Sequence, residues 1–203
     1  MYTRTLVTAP ASEPITLSQA KAHLRVDHSD DDTAITRLIT TARQYVELVT
    51  GRAMLAQTWD VYYDWFPRCD QMPLPFGQLR TVDAFAWTDS GGTTRTWTVS
   101  GSDLVESGTT RAHIDAVNEP ARIALAYSQS WPTDTLKTSN PIRVRITCGY
   151  TTVPSNLAAA MLLLVDHWYR NTSAVIVGEM ASVGTAEIPM AFGALIANFR
   201  LHA

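Results

Sequence analysis

The acidic run "DHSDDD", residues 27–32, is the densest group of side chains that could bind a metal ion. A calcium loop spaces its ligands over about twelve residues and needs an internal glycine, and this run has neither feature. A helical pattern begins directly after it, where Ser29 can cap the helix and the aspartates can interact favourably with the helix dipole. The sequence therefore favours a helix start over a metal site.

Other catalytic patterns are missing from the sequence. There is no nucleophile elbow, no phosphate-binding loop and no histidine pair four residues apart. Cys69 and Cys148 are too few and too distant for a disulfide scaffold or a zinc site, so we expect two reduced thiols. We predict a protein without catalytic residues, cofactor or metal. A small cytosolic enzyme of unrecognised type remains an alternative.

Aromatic side chains alternate along "QTWDVYYDWF", residues 57–66, as on one face of a strand. Trp59, Tyr63 and Trp65 could stack on bases, which would make the chain a nucleic-acid-binding module. Asp60 and Asp64 flank them, however, and the net charge of the chain is -3, so a phosphate backbone would be repelled. Packing against a protein core is the interpretation that we favour.

Four helices are predicted, two before the aromatic segment in the sequence and two near the C-terminal end. Thr16 and Gln19 form a capping-box pattern before the first helix, and Gly51 is the expected residue after the second. The third begins at Pro154 and is apolar nearly all round over 157–165, and the fourth follows Pro189. We expect order to begin near Ile15.

Strands are predicted between the second and third helices. Polar loops are expected at 100–110 and 132–140. The strand candidates are 57–66, 81–87, 95–99, 111–115, 122–127 and 142–148.

These elements predict an α+β fold. Two N-terminal and two C-terminal helices would form a bundle, with a β-rich region inserted between the second and third helices. We expect residues 1–203 to form a single compact unit, with a helical body of 14–51 and 154–203 and a β-rich insertion of 52–150. The longest apolar run, 157–165, is about half a membrane span, so a soluble, cytoplasmic protein without a membrane partner is expected.

The order of several segments resembles the phage head-tail connector (adaptor) proteins. "ITLSQAKAHLRVD" and "ARQYVELVTGRAM" look like the opening of that family, and "AQTWDVYYDWFP" follows as it does there. "WP", "PIRVRITCGY" and "VPSNLAAAMLLLVDHWYRN" continue the order. The chain is similar, over about residues 14 to 200, to the subgroup with a β-rich insertion that occurs in tailed phages, prophages and gene-transfer particles.

The resemblance implies a structural role without catalytic residues. Members form a ring, typically of twelve subunits, beneath the portal protein, and assembly would take place in the host cytoplasm before the ring becomes part of the neck. The ring extends the DNA channel, through which DNA passes without sequence-specific binding, and is a platform for the next neck (stopper) or tail protein.

The apolar, glycine-interrupted segment "SAVIVGEMASVG", residues 173–184, is predicted to be part of an assembly interface. It could instead pack as an extra strand within its own subunit. Tyr169 and Arg170 could likewise be an interface anchor or the end of a core helix. The predicted interface comprises Tyr169, Arg170, Val175, Ile176, Val177, Met180, Val183, Phe192, Leu195, Ile196, Phe199 and Arg200.

Overall fold

The computed structural model describes residues 2–171 and 190–201. Over these residues the chain is mixed α+β, as predicted, and it divides into two units. The described parts of 12–54 and 152–200 form a helical unit, and those of 1–11, 55–151 and 201–203 form a β-rich unit. The expectation of a single compact unit stays a prediction.

The helical unit contains four α-helices among its described residues. They are α1 (Leu17–Leu24), α2 (Asp32–Thr50), α3 (Ser155–Arg170) and α4 (Met190–Ile196), followed by a 3-10 turn at Ala197–Phe199. Its core is formed by apolar side chains at helical spacing. They lie on one face of each helix, and that face is buried because it is apolar. The buried core residues of these helices include Ala20, Leu24, Ile35, Ile39, Ala42, Val46, Leu157, Ala160, Met161, Leu164, Val165, Phe192 and Ile196.

Two helix ends have the geometry that the sequence predicts. The Gln19 backbone N–H donates to Thr16 Oγ1 at 3.2 Å, and the Thr16 N–H donates to Gln19 Oε1 at 2.8 Å, which completes the capping box. Gly51 ends α2 with a φ of 69°, a left-handed conformation that glycine adopts without steric cost.

The start of α2 differs from the prediction of a Ser29 cap. Asp31 precedes the helix, and its side chain makes no capping hydrogen bond. The carboxylate of Asp31 instead accepts a hydrogen bond from the Tyr169 hydroxyl, and Asp32 Oδ1 accepts one from Lys21 Nζ at 2.6 Å. Asp31 and Asp32 are therefore bonded to Tyr169 and Lys21 and do not cap the helix. Asp32 still lies in the first turn, where a negative charge is favourable.

The β-rich unit contains nine antiparallel strands among the described residues. Their order across the sheet is β1-β2-β9-β4-β5-β6-β7-β8-β3. The strands are β1 (Tyr2–Thr8), β2 (Gln57–Tyr63), β3 (Gln71–Pro73), β4 (Leu79–Thr88), β5 (Thr94–Ser100), β6 (Asp103–Glu106), β7 (Thr109–Asp115), β8 (Arg122–Leu125) and β9 (Ile142–Cys148).

Central strands show the predicted alternation. On β9, Ile142, Val144, Ile146 and Cys148 are fully buried, whereas the intervening residues are half-buried. Successive side chains of a strand point to opposite faces, so one face of β9 contributes to the core.

Three strands, β1, β3 and β6, were not predicted from the sequence. Every residue of β1 is exposed, and the strand is held by its antiparallel pairing with β2, a contact that its own sequence does not reveal. The expected polar loop at 100–110 contains β6, on which Leu104 is fully buried. Ser107 and Gly108 have φ values of 51° and 80°, and they form the tight turn from β6 to β7.

Candidate assembly surfaces

Two predicted interface residues, Tyr169 and Arg170, lie at the end of α3. Arg170 is exposed, and its Nε donates to Asp166 Oδ1 at 2.7 Å, one turn earlier on the helix. The Tyr169 hydroxyl donates to Asp31 Oδ2 at 2.5 Å, and this hydrogen bond raises the pKa of Tyr169. Tyr169 therefore links α3 to the start of α2, while the guanidinium of Arg170 is accessible to a partner.

Residues of the last helix divide between core and surface. Phe192 and Ile196 are 4% and 0% exposed, and the Phe192 ring lies 5.7 Å from that of Tyr45. Leu195 and Phe199 are half-buried, and Arg200 is exposed. Phe192 and Ile196 thus have little surface to offer a partner in this conformation.

The end of the 3-10 turn is anchored within the helical unit. Arg52, itself 8% exposed, donates from Nε to the Phe199 carbonyl oxygen at 2.6 Å. A charged donor on a terminal carbonyl satisfies a group that the helix cannot pair internally.

Five predicted interface residues lie outside the residues that the structure describes. They are Val175, Ile176, Val177, Met180 and Val183. Their role stays a prediction.

Several exposed apolar side chains were missed by the sequence reasoning. Leu48 on α2 is 71% exposed, although it lies within a helix whose opposite face is core. The outer edge of β1 has no strand partner among the described residues, so its backbone groups are open to pairing. The large exposed apolar residues are Tyr2, Leu6, Val7, Leu48, Trp65, Val117 and Tyr127.

The aromatic side chains predicted along residues 57–66 differ in their exposure. Tyr63 is 8% exposed, and its hydroxyl donates to the Pro73 carbonyl at 2.6 Å. Trp59 is half-buried, with its ring 4.8 Å from Phe76. Trp65 follows the end of β2 and is 60% exposed. Since Tyr63 is buried and Trp59 is half-buried, the three side chains do not form one exposed platform for successive bases.

Neither a metal centre nor a membrane span is found in the part of the chain that the structure describes. Within it, no three His, Cys, Asp or Glu side chains are grouped so that they could hold a metal ion. None of the helices in 2–171 and 190–201 combines the length and apolar character that a membrane crossing requires.

Three solved structures share this fold over nearly the whole chain. The neck of an empty gene transfer agent particle, computed with C6 symmetry, contains a chain with a TM-score of 0.73 and 21% identity, covering 99% of this chain and 96% of that one. The virion of a native gene transfer agent particle gives a TM-score of 0.73 and 19% identity, with 98% and 96% covered. The neck of a native particle computed with C12 symmetry gives 0.65 and 21%, again with 98% and 96% covered.

The family comparison bears on the N-terminal part of the chain. No curated protein matched the chain. Residues 14–87, which include the capped α1, all of α2 and the aromatic strand β2, match the model of the phage gp6-like head-tail connector proteins. That segment is where the sequence resemblance begins, and the fold likeness extends over the rest. Over residues 14–87 the chain is thus similar to the phage gp6-like head-tail connector proteins, and over nearly its whole length it shares the fold of chains from gene transfer agent particles.

Proposed function

We propose that the chain is the adaptor subunit of a particle neck. Twelve copies form a ring beneath the portal protein, extend the DNA channel and provide the platform for the stopper or tail protein. The observation that carries this proposal is the family match over 14–87 together with a fold likeness covering 99% of the chain. Neck structures computed with C6 and C12 symmetry support a count of twelve, because both symmetries are compatible with it.

The proposed ring body is helical. The body would consist of residues 14–51 and 154–203. The β-rich insertion between α2 and α3 would be residues 52–150. Together they would form one compact subunit. The element order supports this organisation, since all strands but β1 lie between those two helices in the chain.

The proposed partners follow from this position in the particle. Subunits would assemble in the host cytoplasm and then become part of the neck, with no membrane involved. DNA would pass through the ring without sequence-specific binding. The net charge of -3 supports a conduit, since a strongly basic lumen would retain the DNA that must move.

A closed ring needs two different complementary surfaces on every subunit. We propose that Arg170, Leu195, Phe199 and Arg200, together with the segment 175–183, contribute to them. Arg170 supports this choice because its side chain is 66% exposed and its pair with Asp166 lies on the same helix, so a partner can bind it without disturbing the fold.

The proposal is tested by mixing the full chain with its portal protein and imaging the product by electron microscopy, with light scattering of the chain alone. We expect rings stacked on the portal. A salt-sensitive shift of DNA in the absence of any portal association would contradict the proposal and favour a nucleic-acid-binding module.

Two charge-reversal variants at exposed positions make the same experiment more specific. Arg170→Glu should reduce portal-bound rings while leaving the thermal unfolding midpoint unchanged. Arg37→Glu, on the exposed face of α2, is the matched control and should leave ring formation intact. Equal loss with both variants would show a general charge effect and would remove Arg170 from the interface.

A further inference from the structure

The strand β1 carries a large share of the exposed apolar surface. Tyr2, Leu6 and Val7 are 48%, 43% and 44% exposed, so three of the seven large exposed apolar side chains of the described residues lie in this one strand. Single exposed apolar residues are ordinary, whereas several together are typical of a surface that another chain covers. The outer side of residues 2–8, called the β1 edge, is therefore a candidate binding surface.

The backbone of β1 is paired on one side. Its antiparallel register with β2 is regular from Tyr2 to Leu6, and on its other side the structure describes no strand. The unpaired N–H and C=O groups of such an edge are a template for a further strand. Proline and lysine commonly protect edges from pairing, and β1 contains neither. The β1 edge is therefore open to an added strand.

Arg4 is the only charged residue of β1, and two aromatic rings position it. Its guanidinium carbon lies 4.4 Å from the ring centroid of Phe76 and 5.7 Å from that of Trp59. Among the described residues, no carboxylate forms an ion pair with this exposed side chain. The rings attract the positive charge but do not replace a carboxylate as acceptor for the guanidinium N–H groups. Arg4 is thus positioned to bind an acid from another segment.

One segment of this chain that lies outside the described residues has the complementary pattern. Val175, Val177 and Glu179 occupy alternate positions of "SAVIVGEMASVG", residues 173–184, and Glu179 is the only charged residue of that segment. Valine and isoleucine are β-branched and favour strands. The β1 edge has apolar side chains and one positive charge, and this segment has apolar side chains and one negative charge.

We propose that the β1 edge of one subunit pairs with residues 175–181 of a neighbouring copy of this chain. Backbone hydrogen bonds would add the segment to the sheet as a further strand, and the side chains would determine which segment is accepted. The contact joins two different surfaces of the subunit, as a closed ring requires. The choice of a neighbouring copy rests on the proposed ring, whereas the pairing itself does not.

The opposite charges define the register of this pairing. Antiparallel pairing is the commoner arrangement, and it places apolar side chains opposite each other when the two charges face one another. The pairs on one face are then Arg4–Glu179, Leu6–Val177 and Tyr2–Ala181. A shift by one residue would move the carboxylate to the other face of the sheet, so the register is specific.

Disulfide trapping in the full chain tests this register. The exposed Cys69 is replaced by serine in every variant. Thr5→Cys and Gly178→Cys would lie opposite each other, at a Cα separation of about 4.5–5.5 Å that a disulfide can bridge. We expect oxidised portal-bound rings of this double variant to give ladders of covalently linked subunits. Thr5→Cys with Ser182→Cys, one turn of the pleat too far along the segment, is the matched control and should give none.

Charge reversal tests the pair of Arg4 and Glu179. Arg4→Glu and Glu179→Arg should each raise the chain concentration needed for half-maximal ring formation on the portal by about fivefold, because like charges then face each other across the strands. The double variant restores opposite charges and should assemble like the wild type. Glu179→Arg combined with Arg37→Glu is the control and should stay impaired. No recovery in the double variant would overturn the pair.

The edge pairing and the neck function fail in different ways. Portal-bound rings without a disulfide between positions 5 and 178 would overturn the pairing and leave the neck function standing. The same variant is also oxidised as concentrated free chain, where intermolecular disulfides without portal-bound rings would support the pairing and contradict the neck function. A disulfide within one subunit, ladders in the control as well, or no intermolecular disulfide in either sample would overturn the proposal.

Discussion

Asp60 and Arg145 form a cross-strand ion pair between β2 and β9. Arg145 Nε reaches Asp60 Oδ1 at 2.7 Å, and Nη2 reaches Oδ2 at 2.8 Å, so both carboxylate oxygens are used. Asp60 is only 5% exposed, although aspartate side chains are mostly exposed in folded proteins. The hydrogen bonds from Arg145 hold the pKa of Asp60 below its ordinary value, against the opposing effect of burial.

This lowered pKa predicts acid sensitivity of folding. Asp60 binds a proton more readily in the unfolded chain than in the folded one, so its contribution to stability is present above the unfolded pKa of about 3.9. That contribution is lost as the pH falls through the folded pKa. We expect Asp60→Asn to lower the free energy of unfolding at pH 7 by about 1–3 kcal/mol and to flatten the decline below about pH 4.

Urea titrations from pH 7 to pH 3 measure this effect. Asp27→Asn, at an exposed position, is the control and should follow the wild-type profile. If Asp60→Asn and the wild type lose stability in parallel below pH 4, the ion pair does not carry the acid response.

At the level of the elements, the end of β9 depends on one glycine. Gly149 has a φ of 124°, and a Cβ placed there would lie 2.0 Å from the Leu55 carbonyl oxygen and 2.3 Å from its carbon. Both neighbours are backbone atoms, which cannot move aside cheaply. The segment before β2 and the end of β9 therefore approach more closely than any side chain at 149 allows.

Gly149→Ala should consequently destabilise the protein by more than about 3 kcal/mol, because it combines overpacking with an unfavourable φ. Gly92→Ala is the matched control. Gly92 also has a positive φ, 85°, but nothing lies within 4 Å of a Cβ there, so only the conformational cost of about 1–2 kcal/mol is expected. Similar urea midpoints for the two variants would contradict the close approach.

At the scale of the whole molecule, assembly and folding should be separable by mutation. Replacing Val175, Ile176 and Val177 with serine should leave the equilibrium stability of the free subunit unchanged and abolish assembly with the portal. Phe192→Ala should instead lower stability by about 3 kcal/mol, because it empties a core position next to Tyr45.

Chemical denaturation and electron microscopy with the portal distinguish the two effects. If the serine variant unfolds like Phe192→Ala, the 175–177 run belongs to the core of its own subunit, and its interface role is wrong. The same pair of measurements decides whether Phe192, predicted from its apolar stripe as an interface residue, acts only through the core.

Local interactions explain why several elements could be predicted. The Thr16–Gln19 capping box, the Gly51 helix end and the alternation along β9 depend on residues within a few positions of one another. Since both the periodicity of a helix or strand and its caps are local, a single sequence carries them. The family resemblance could be read for the same reason, from the order of such segments.

What the sequence alone determined is the α+β composition, the main helices and most of the strands, and the connector resemblance. Tertiary structure decided which polar side chains are buried: Asp60 by pairing with Arg145, and Arg43 by pairing with Glu13 at 2.8 Å. It also decided that β1 is a strand, that Phe192 lies in a core, and that the Trp97 ring is stacked between Phe85 and Trp131. Each depends on partners distant in the chain, and local periodicity carries no information about which distant residue will supply a strand, a charge or a stacking ring.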